Sequence, residues 1–200
     1  PPPDTLSQTV LSKTGKTKDT LIIAMSQTFR PFTFLNAEAQ PTGMFVDTWN
    51  LWAEKTGQKI EFRPSSWQET LDNLKNGAAD IHAGLFYSDS RAQWMDFSQA
   101  FYGLNIEVFF PVKQGKISSL NELNGQKVGV AGGTHMEEYL RTRHPNIEVV
   151  TFRSNEDAAR AARDGKVRAL LAGYPETMAI LNRLGWSGEF DSIDEVLYTR

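Results

Sequence analysis

Cysteine is absent from this chain of 200 residues. That excludes disulfides, thiolate metal sites and cysteine nucleophiles together. It fixes no compartment, because an exported domain with its own core needs no disulfide. Histidine is scarce, and His82, His135 and His144 stand far apart. A histidine-rich metal site or an HExxH motif is therefore not expected, and neither is a cofactor. No uncharged apolar run approaches the ~18 residues of a membrane span. Lys and Arg number 21 against 24 Asp and Glu, with no local basic patch, so a nucleic-acid partner is not expected. What is present suits a folded domain: 40% of residues are apolar and 22% charged, enough for a core and unlike a disordered or collagen-like chain. Such a length accommodates one ordinary domain or two small lobes.

Residues 1–19 are rich in Pro, Ser, Thr and Lys without apolar periodicity and read as a leader or linker. Leu21 to Met25 suits a buried strand, and Pro31 argues for a loop across Phe29 to Phe34. An amphipathic helix is predicted from Val46 to Lys55, stopped by Gly57. Ile60-Glu61-Phe62 and Asp80 to Leu85 read as strands. Between them Ser66-Trp67-Gln68-Glu69 forms a capping box that opens a helix. After Pro111 the alternation recurs, with strands at Lys127–Ala131, Ile147–Phe152 and Ala169–Ala172. Capping boxes are read at Ser119–Glu122, Thr134–Glu137 and Ser154–Asp157, and Pro175 opens a last helix. Strands alternating with helices imply βαβ units, here in two α/β lobes, each a mostly parallel sheet flanked by helices. The first lobe is placed at 20–110, the hinge at 111–117 and the second lobe at 118–187. Ligands of such lobes bind in the cleft at the carboxyl ends of the strands.

Several residues carry chemistry suited to that cleft. Arg91, in Ser88-Asp89-Ser90-Arg91, presents a planar fork for a carboxylate, although an ion pair with Asp89 or Asp96 is the plainer reading. Gly132-Gly133-Thr134 brings backbone amides and a hydroxyl to a helix start, where an anion is favoured. Phe29, Trp67, Phe86 and Tyr174 each fall at a strand-to-helix or loop position on the expected cleft rim, with core filling as the alternative for any one of them. Glu176 lies in a first helical turn, where the dipole alone accounts for a carboxylate; in a cleft it also suits a general acid.

Six segments occur in an order that resembles a known family. They are Phe29-Arg30-Pro31-Phe32-Thr33-Phe34, Gly43-Met44-Phe45-Val46-Asp47, Gly77-Ala78-Ala79-Asp80, Ser88-Asp89-Ser90-Arg91, Asp96-Phe97-Ser98 and Lys127 to Thr134. The chain from Leu21 onward resembles the bacterial extracellular solute-binding proteins of the polar amino-acid type. The resemblance implies a two-lobed Venus flytrap fold that closes on a small molecule, in a periplasmic or otherwise extracytoplasmic location. It implies that Arg91 clamps a ligand carboxylate, that Thr134 helps hold it, and that Phe29 and Trp67 sandwich the ligand's side chain. Gly84, Phe86, His135 and Tyr174 complete the ligand-binding set. Two positions depart from the family. Phe86 stands where a serine or threonine is usual, and Gly173 where an aspartate usually takes the α-amino group.

Asp47 to Trp52 and Asp80 to Phe86 look more like membrane-tethered sensor domains than free transport subunits. Such domains precede diguanylate cyclase or histidine kinase modules, and closure on a solute would bias their output. Any membrane attachment would then run through a tether outside this chain, and dimerisation would belong to the full-length sensor. A free binding subunit of an ABC transporter is the alternative. Cyclohexadienyl dehydratases also resemble the family and place a catalytic glutamate near Glu176, which is the remote enzyme reading. In this fold residues 188–200 form a return segment toward the first lobe, so the chain is expected to be a fragment of a larger protein.

Overall fold

The apolar run after Asp19 becomes strand β1 (Thr20–Ser26), in which Ile23, Ala24 and Met25 are wholly buried. The computed structural model describes residues 18–193 and 198–199, so all but the last two residues of the expected leader lie outside it. Burial on both faces is the environment of a central parallel strand. Next comes a small antiparallel sheet of β2 (Thr28–Phe29), β3 (Thr33–Leu35) and β4 (Pro41–Thr42). This corrects the expectation of an unbroken loop. Pro31 sits in the turn, where its missing N–H removes no ladder bond.

Helix α1 (Met44–Thr56) buries Phe45 and Val46 and ends at Gly57 in the left-handed conformation. Its Trp49 indole N–H donates to the Ala83 carbonyl at 2.8 Å, which ties the helix to the sheet. Strand β5 (Lys59–Ser65) is an edge strand, and it turns Ile60 and Phe62 inward while Lys59, Glu61 and Arg63 face water. The expected capping box is present: Ser66 N–H and hydroxyl donate to the Glu69 carboxylate at 2.9 and 2.7 Å and open α2 (Trp67–Lys75). Strand β6 (Ile81–His82) completes a parallel sheet of order β5-β1-β6. Asp80 clamps it there, accepting from Ile22 N–H at 2.9 Å and donating its own N–H to Ile22 O at 2.8 Å. The short helix α3 (Asp89–Ala92) then carries Arg91.

The second sheet contains β7 (Asn105–Pro111), β8 (Lys127–Ala131), β9 (Glu148–Phe152), β10 (Ala169–Gly173) and β11 (Phe190–Ser192) in the order β11-β7-β10-β8-β9, with β12 (Tyr198–Thr199) also paired to β7. Strands β8, β9 and β10 run parallel, separated in sequence by α4 (His135–Arg143) and α5 (Asn155–Arg163); α6 (Tyr174–Leu184) follows β10. Strand β7 is antiparallel to β10, β11 and β12. The lobe boundary expected at Phe110 therefore falls inside a strand of the second sheet, and the expected hinge at 111–117 lies on that sheet's side. Composition explains the shift: Ile106, Val108, Phe109 and Phe110 are all buried, so β7 needs cover on both faces, which the interior of the larger sheet provides. Residues 190–192 and 198–199 of the return segment run along β7 from its Pro111 end to its Asn105 end, within the second sheet. Residues 194–197 and 200 lie outside the described residues. Ser119–Glu122 is not a helix-capping box either: a 3-10 turn spans Leu120–Leu123, and the Glu122 carboxylate takes the Ser118 N–H at 3.2 Å.

The first lobe has a small core of Ile23, Met25, Val46 and Ala83. A larger apolar cluster runs from Phe32 and Phe45 across to Leu104, Ile106, Val130, Met136 and Leu140, so the lobes share packing. On the other face of the second sheet, α5 lays Ala158, Ala159 and Ala162 against Leu170 and Ala172.

Gly43 has φ 124°, and a Cβ there would meet the Phe32 carbonyl, whereas Gly185, at φ 72°, has open space around it. Gly43→Ala is expected to cost more than about 2 kcal/mol and Gly185→Ala about 1 kcal/mol. Urea unfolding of the two variants checks this, and equal losses would contradict it.

Candidate functional site

The carboxyl ends of both parallel strand sets face a cavity of about 400 Å³ between the lobes. Its first-lobe wall is largely aromatic. Phe29, Phe32 and Phe45 pack in sequence with ring centroids 4.8 and 4.9 Å apart, and Phe101 and Tyr102 set their edges against Phe45 and Phe32 at 5.2 Å. Gly84 lines this wall for a steric reason, since a Cβ there would lie 2.6 Å from the Phe45 ring. Phe86 reaches across to the His135 ring at 6.0 Å. From the second lobe come Thr134, His135, Met136, Arg153, Asn155 and Glu176.

Six of the eight expected ligand contacts line this cavity: Phe29, Trp67, Gly84, Phe86, Thr134 and His135. Arg91 and Tyr174 are not among the lining residues. Tyr174 is 42% exposed and lies over Phe109, with centroids 6.0 Å apart. Arg91 is buried but turned to backbone. Its Nη1 donates to Phe86 O at 2.8 Å and its Nη2 to Gly133 O at 2.9 Å, and no salt bridge to Asp89 or Asp96 forms. The Trp67 indole N–H donates to the same Gly133 carbonyl at 3.2 Å. One carbonyl of the second lobe thus accepts from two side chains of the first. The turn expected to hold an anion is partly committed as well: Gly133 N–H donates to the Glu137 carboxylate at 2.8 Å and the Thr134 hydroxyl to Ala131 O at 2.6 Å.

A histidine not expected in the site sets the position of Trp67. His82 Nδ1 accepts from Gly84 N–H at 3.2 Å, so in the neutral ring Nε2 carries the proton and donates to Thr70 Oγ1 at 3.0 Å. Thr70 Oγ1 in turn donates to Trp67 O at 2.6 Å, and the His82 and Trp67 rings meet edge to face at 5.3 Å. Burial, together with the charge of Arg91 nearby, pushes the imidazole down to about 3.

Glu176, singled out above in its first helical turn, meets a residue not expected in the site, Asn155. Both are buried, and Asn155 Nδ2 donates to Glu176 Oε2 at 2.7 Å. Burial raises the Glu176 carboxyl to about 8, against a smaller opposing effect of the Asn155 bond. A sequence signal for Asn155 exists, since it heads the stripe 155, 158, 159, 162 that α5 buries. A polar residue on an otherwise alanine face marks a site. Among the described residues no cluster of His, Asp and Glu is arranged to hold a metal ion, and no helix is long and apolar enough to cross a membrane.

These two groups give opposite pH dependences of stability. The raised carboxyl stabilises the fold fully below its unfolded value of 4.5, and this is lost as pH rises to about 8; the lowered imidazole stabilises the fold above 6.5, and this is lost as pH falls toward 3. Between pH 6.5 and 8 the carboxyl alone slopes, so the melting temperature of the unliganded protein is expected to fall there. Glu176→Gln should flatten that fall, and a melting curve unchanged in slope would refute the assignment.

Residues 21–184 match the family model described as bacterial extracellular solute-binding proteins, family 3. L-cystine-binding protein TcyJ of Escherichia coli is 28% identical over 158 residues, covering 78% of this chain and 59% of that protein. The chain thus spans about three-fifths of this curated relative's length. A histidine kinase sensor domain with similarity to periplasmic binding proteins superposes with a TM-score of 0.85 at 23% identity, covering 90% of this chain and 78% of that one. An ancestral amino-acid-binding protein, AncCDT-1, described as a precursor of cyclohexadienyl dehydratase, has a TM-score of 0.77 at 25% identity, covering 90% and 78%. With a family match over 164 residues and a two-lobed fold shared with such proteins, this chain belongs to the bacterial extracellular solute-binding proteins of family 3.

Proposed function

We propose that this chain is the extracytoplasmic input domain of a transmembrane signalling protein, and that it takes an amino-acid-like solute or small carboxylate into the inter-lobe cavity. The observation that carries the binding reading is the cavity itself, walled by aromatic rings of one lobe and closed by polar groups of the other. The bonds from Arg91 and Trp67 to Gly133 O support coupling of occupancy to lobe contact. Arg91 lies behind the cavity lining, so a carboxylate would meet it where a guanidinium N–H turns from Phe86 O or Gly133 O toward the cavity. The likeness to a kinase sensor domain and the sequence around Asp47 and Asp80 support the sensory role over that of a transport subunit. Reading the full-length gene for a membrane span and a cytoplasmic module separates the two roles, and a gene without a span would sink the sensor.

Glu176 favours one further reading. A buried carboxyl held protonated near neutral pH beside a cavity is what a general acid requires, as in a dehydratase-like enzyme. Incubation with prephenate or arogenate tests that reading, and absence of turnover removes it.

A thermal-shift screen of amino acids, carboxylates and amines identifies the solute, because ligands of the folded state raise its melting temperature. Against a carboxylate so found, Arg91→Ala is expected to weaken binding by about 2–5 kcal/mol. Unchanged affinity in calorimetry, with only a lower melting temperature, would leave Arg91 as a strut between lobes. Trp67→Ala is expected to weaken the same ligand by about 1–3 kcal/mol and to move the melting temperature less. Intact binding with a large drop in melting temperature would reverse that assignment.

A further inference from the structure

Asn155 and Glu176 enter the cavity from the first turns of α5 and α6, and the solute-binding contacts proposed above use neither. Their side chains belong to residues only 5% and 7% exposed. With Nδ2 given to Glu176, Asn155 Oδ1 is buried with no hydrogen-bond partner. A buried acceptor without a donor is a costly arrangement, and neighbouring hydroxyls do not relieve it: Ser154 donates to Asp157 at 3.0 Å and Thr134 to Ala131. Among the described residues Glu176 has no ion pair. Two acceptor groups therefore converge on the floor of an aromatic chamber.

We propose that Asn155 and Glu176 seat the ammonium group of the solute, which donates to Asn155 Oδ1 and to the Glu176 carboxylate while the apolar part of the solute lies against Phe29, Phe86 and Phe101. The proposal deepens the solute-binding reading and rests on it. It also supplies, from α5 and α6, the polar recognition that Gly173 lacks.

The charged and titratable groups around Glu176 leave its proton free to move. His135 and Arg153 share the cavity, Arg153 lying 3.8 Å from Asp157. Glu107 lies on β7, against which α6 packs. On α5, Glu156 is held by Arg160 and Arg183. Burial keeps the unliganded carboxyl protonated up to about pH 8. Seating an ammonium therefore expels one proton: the carboxyl O–H bond breaks, its proton goes to the buffer, and the carboxylate accepts N–H bonds from an ammonium that keeps all its own protons. Affinity then rises about tenfold per pH unit below pH 8 and levels off above it.

Calorimetry with three probes of one apolar body tests this: L-phenylalanine, 2-phenylethylamine and 3-phenylpropionate, in phosphate and in Tris at pH 7. The two ammonium compounds are expected to bind with release of about one proton, and 3-phenylpropionate at least about thirtyfold more weakly than L-phenylalanine. Glu176→Gln should weaken the ammonium compounds by a similar factor and abolish the proton release. Equal affinity for 3-phenylpropionate and L-phenylalanine overturns the proposal. So does ammonium binding by the unaltered protein without proton release, a result that needs no variant to fold. If none of the three binds, the wider solute screen decides: a ligand without an ammonium group overturns this proposal alone, one with an ammonium group supports it, and no ligand at all overturns the solute-binding reading with it.

Discussion

A single backbone oxygen organises the meeting of the two lobes. Gly133 O accepts from the Arg91 guanidinium and the Trp67 indole, both first-lobe groups, at 2.9 and 3.2 Å. Neither donor reaches it by chance. Arg91 is braced at its other nitrogen by Phe86 O, and Trp67 is held at the head of α2 by a capping box below it and by the Thr70–His82 pair beside it. On the receiving side Gly133 adopts φ 71°, and a Cβ there would lie 2.7 Å from Gln68 Oε1. A residue with a side chain would strain the turn at this φ, while the Gln68 amide, at the end of a flexible side chain, would have to move aside. With the apolar packing the lobes share and the Ser90 hydroxyl donating to the Glu138 carboxylate at 3.3 Å, this contact fixes how closely the aromatic wall faces the starts of α4, α5 and α6.

The cavity joins two electrical environments. The first-lobe wall consists of rings and backbone, with the charge of Arg91 spent on carbonyls. On the second-lobe side, Glu176 and Asn155 are buried polar groups, the carboxyl held protonated by burial and, among the described residues, without an ion pair. A chamber of this kind favours solutes with an apolar body and few polar atoms, since each polar atom must find its partner where water is excluded.

The alternation of strand and helix was legible because it is written in local pattern: apolar runs at β1, β8 and β10, capping residues at Ser66, Thr134 and Ser154, and glycines after α1 and α6. Pairing between distant strands is not written in that local pattern. Strand β7 reads as the close of the first lobe in sequence, yet its buried faces are satisfied by β10 and β11, contributed some sixty to eighty residues later. For the site, strand-end positions such as Phe29, Gly84, Phe86 and Thr134 were legible from the architecture. The direction of a long side chain was not. Arg91 has donors for a carboxylate, and only the fold shows them spent on two carbonyls. Glu176 was legible as a carboxyl suited to a cleft, whereas Asn155 sits where a helix start gives a polar residue an ordinary role, and its burial beside Glu176 shows a further one.

Of the five tryptophans, four report on one lobe only. Trp49 and Trp52 pack against each other 5.4 Å apart on α1, Lys75 lies over Trp94, and Arg160 and Arg163 lie over Trp186. Trp67 alone among them bonds across the gap. Its indole is hydrogen-bonded to the far lobe and lies with an imidazole at one edge and a guanidinium 5.9 Å from its centre. Separation of the lobes would replace that carbonyl by water and alter the local field on the ring. The fold thus carries its own optical gauge of opening, readable in the emission colour of one residue without any added label.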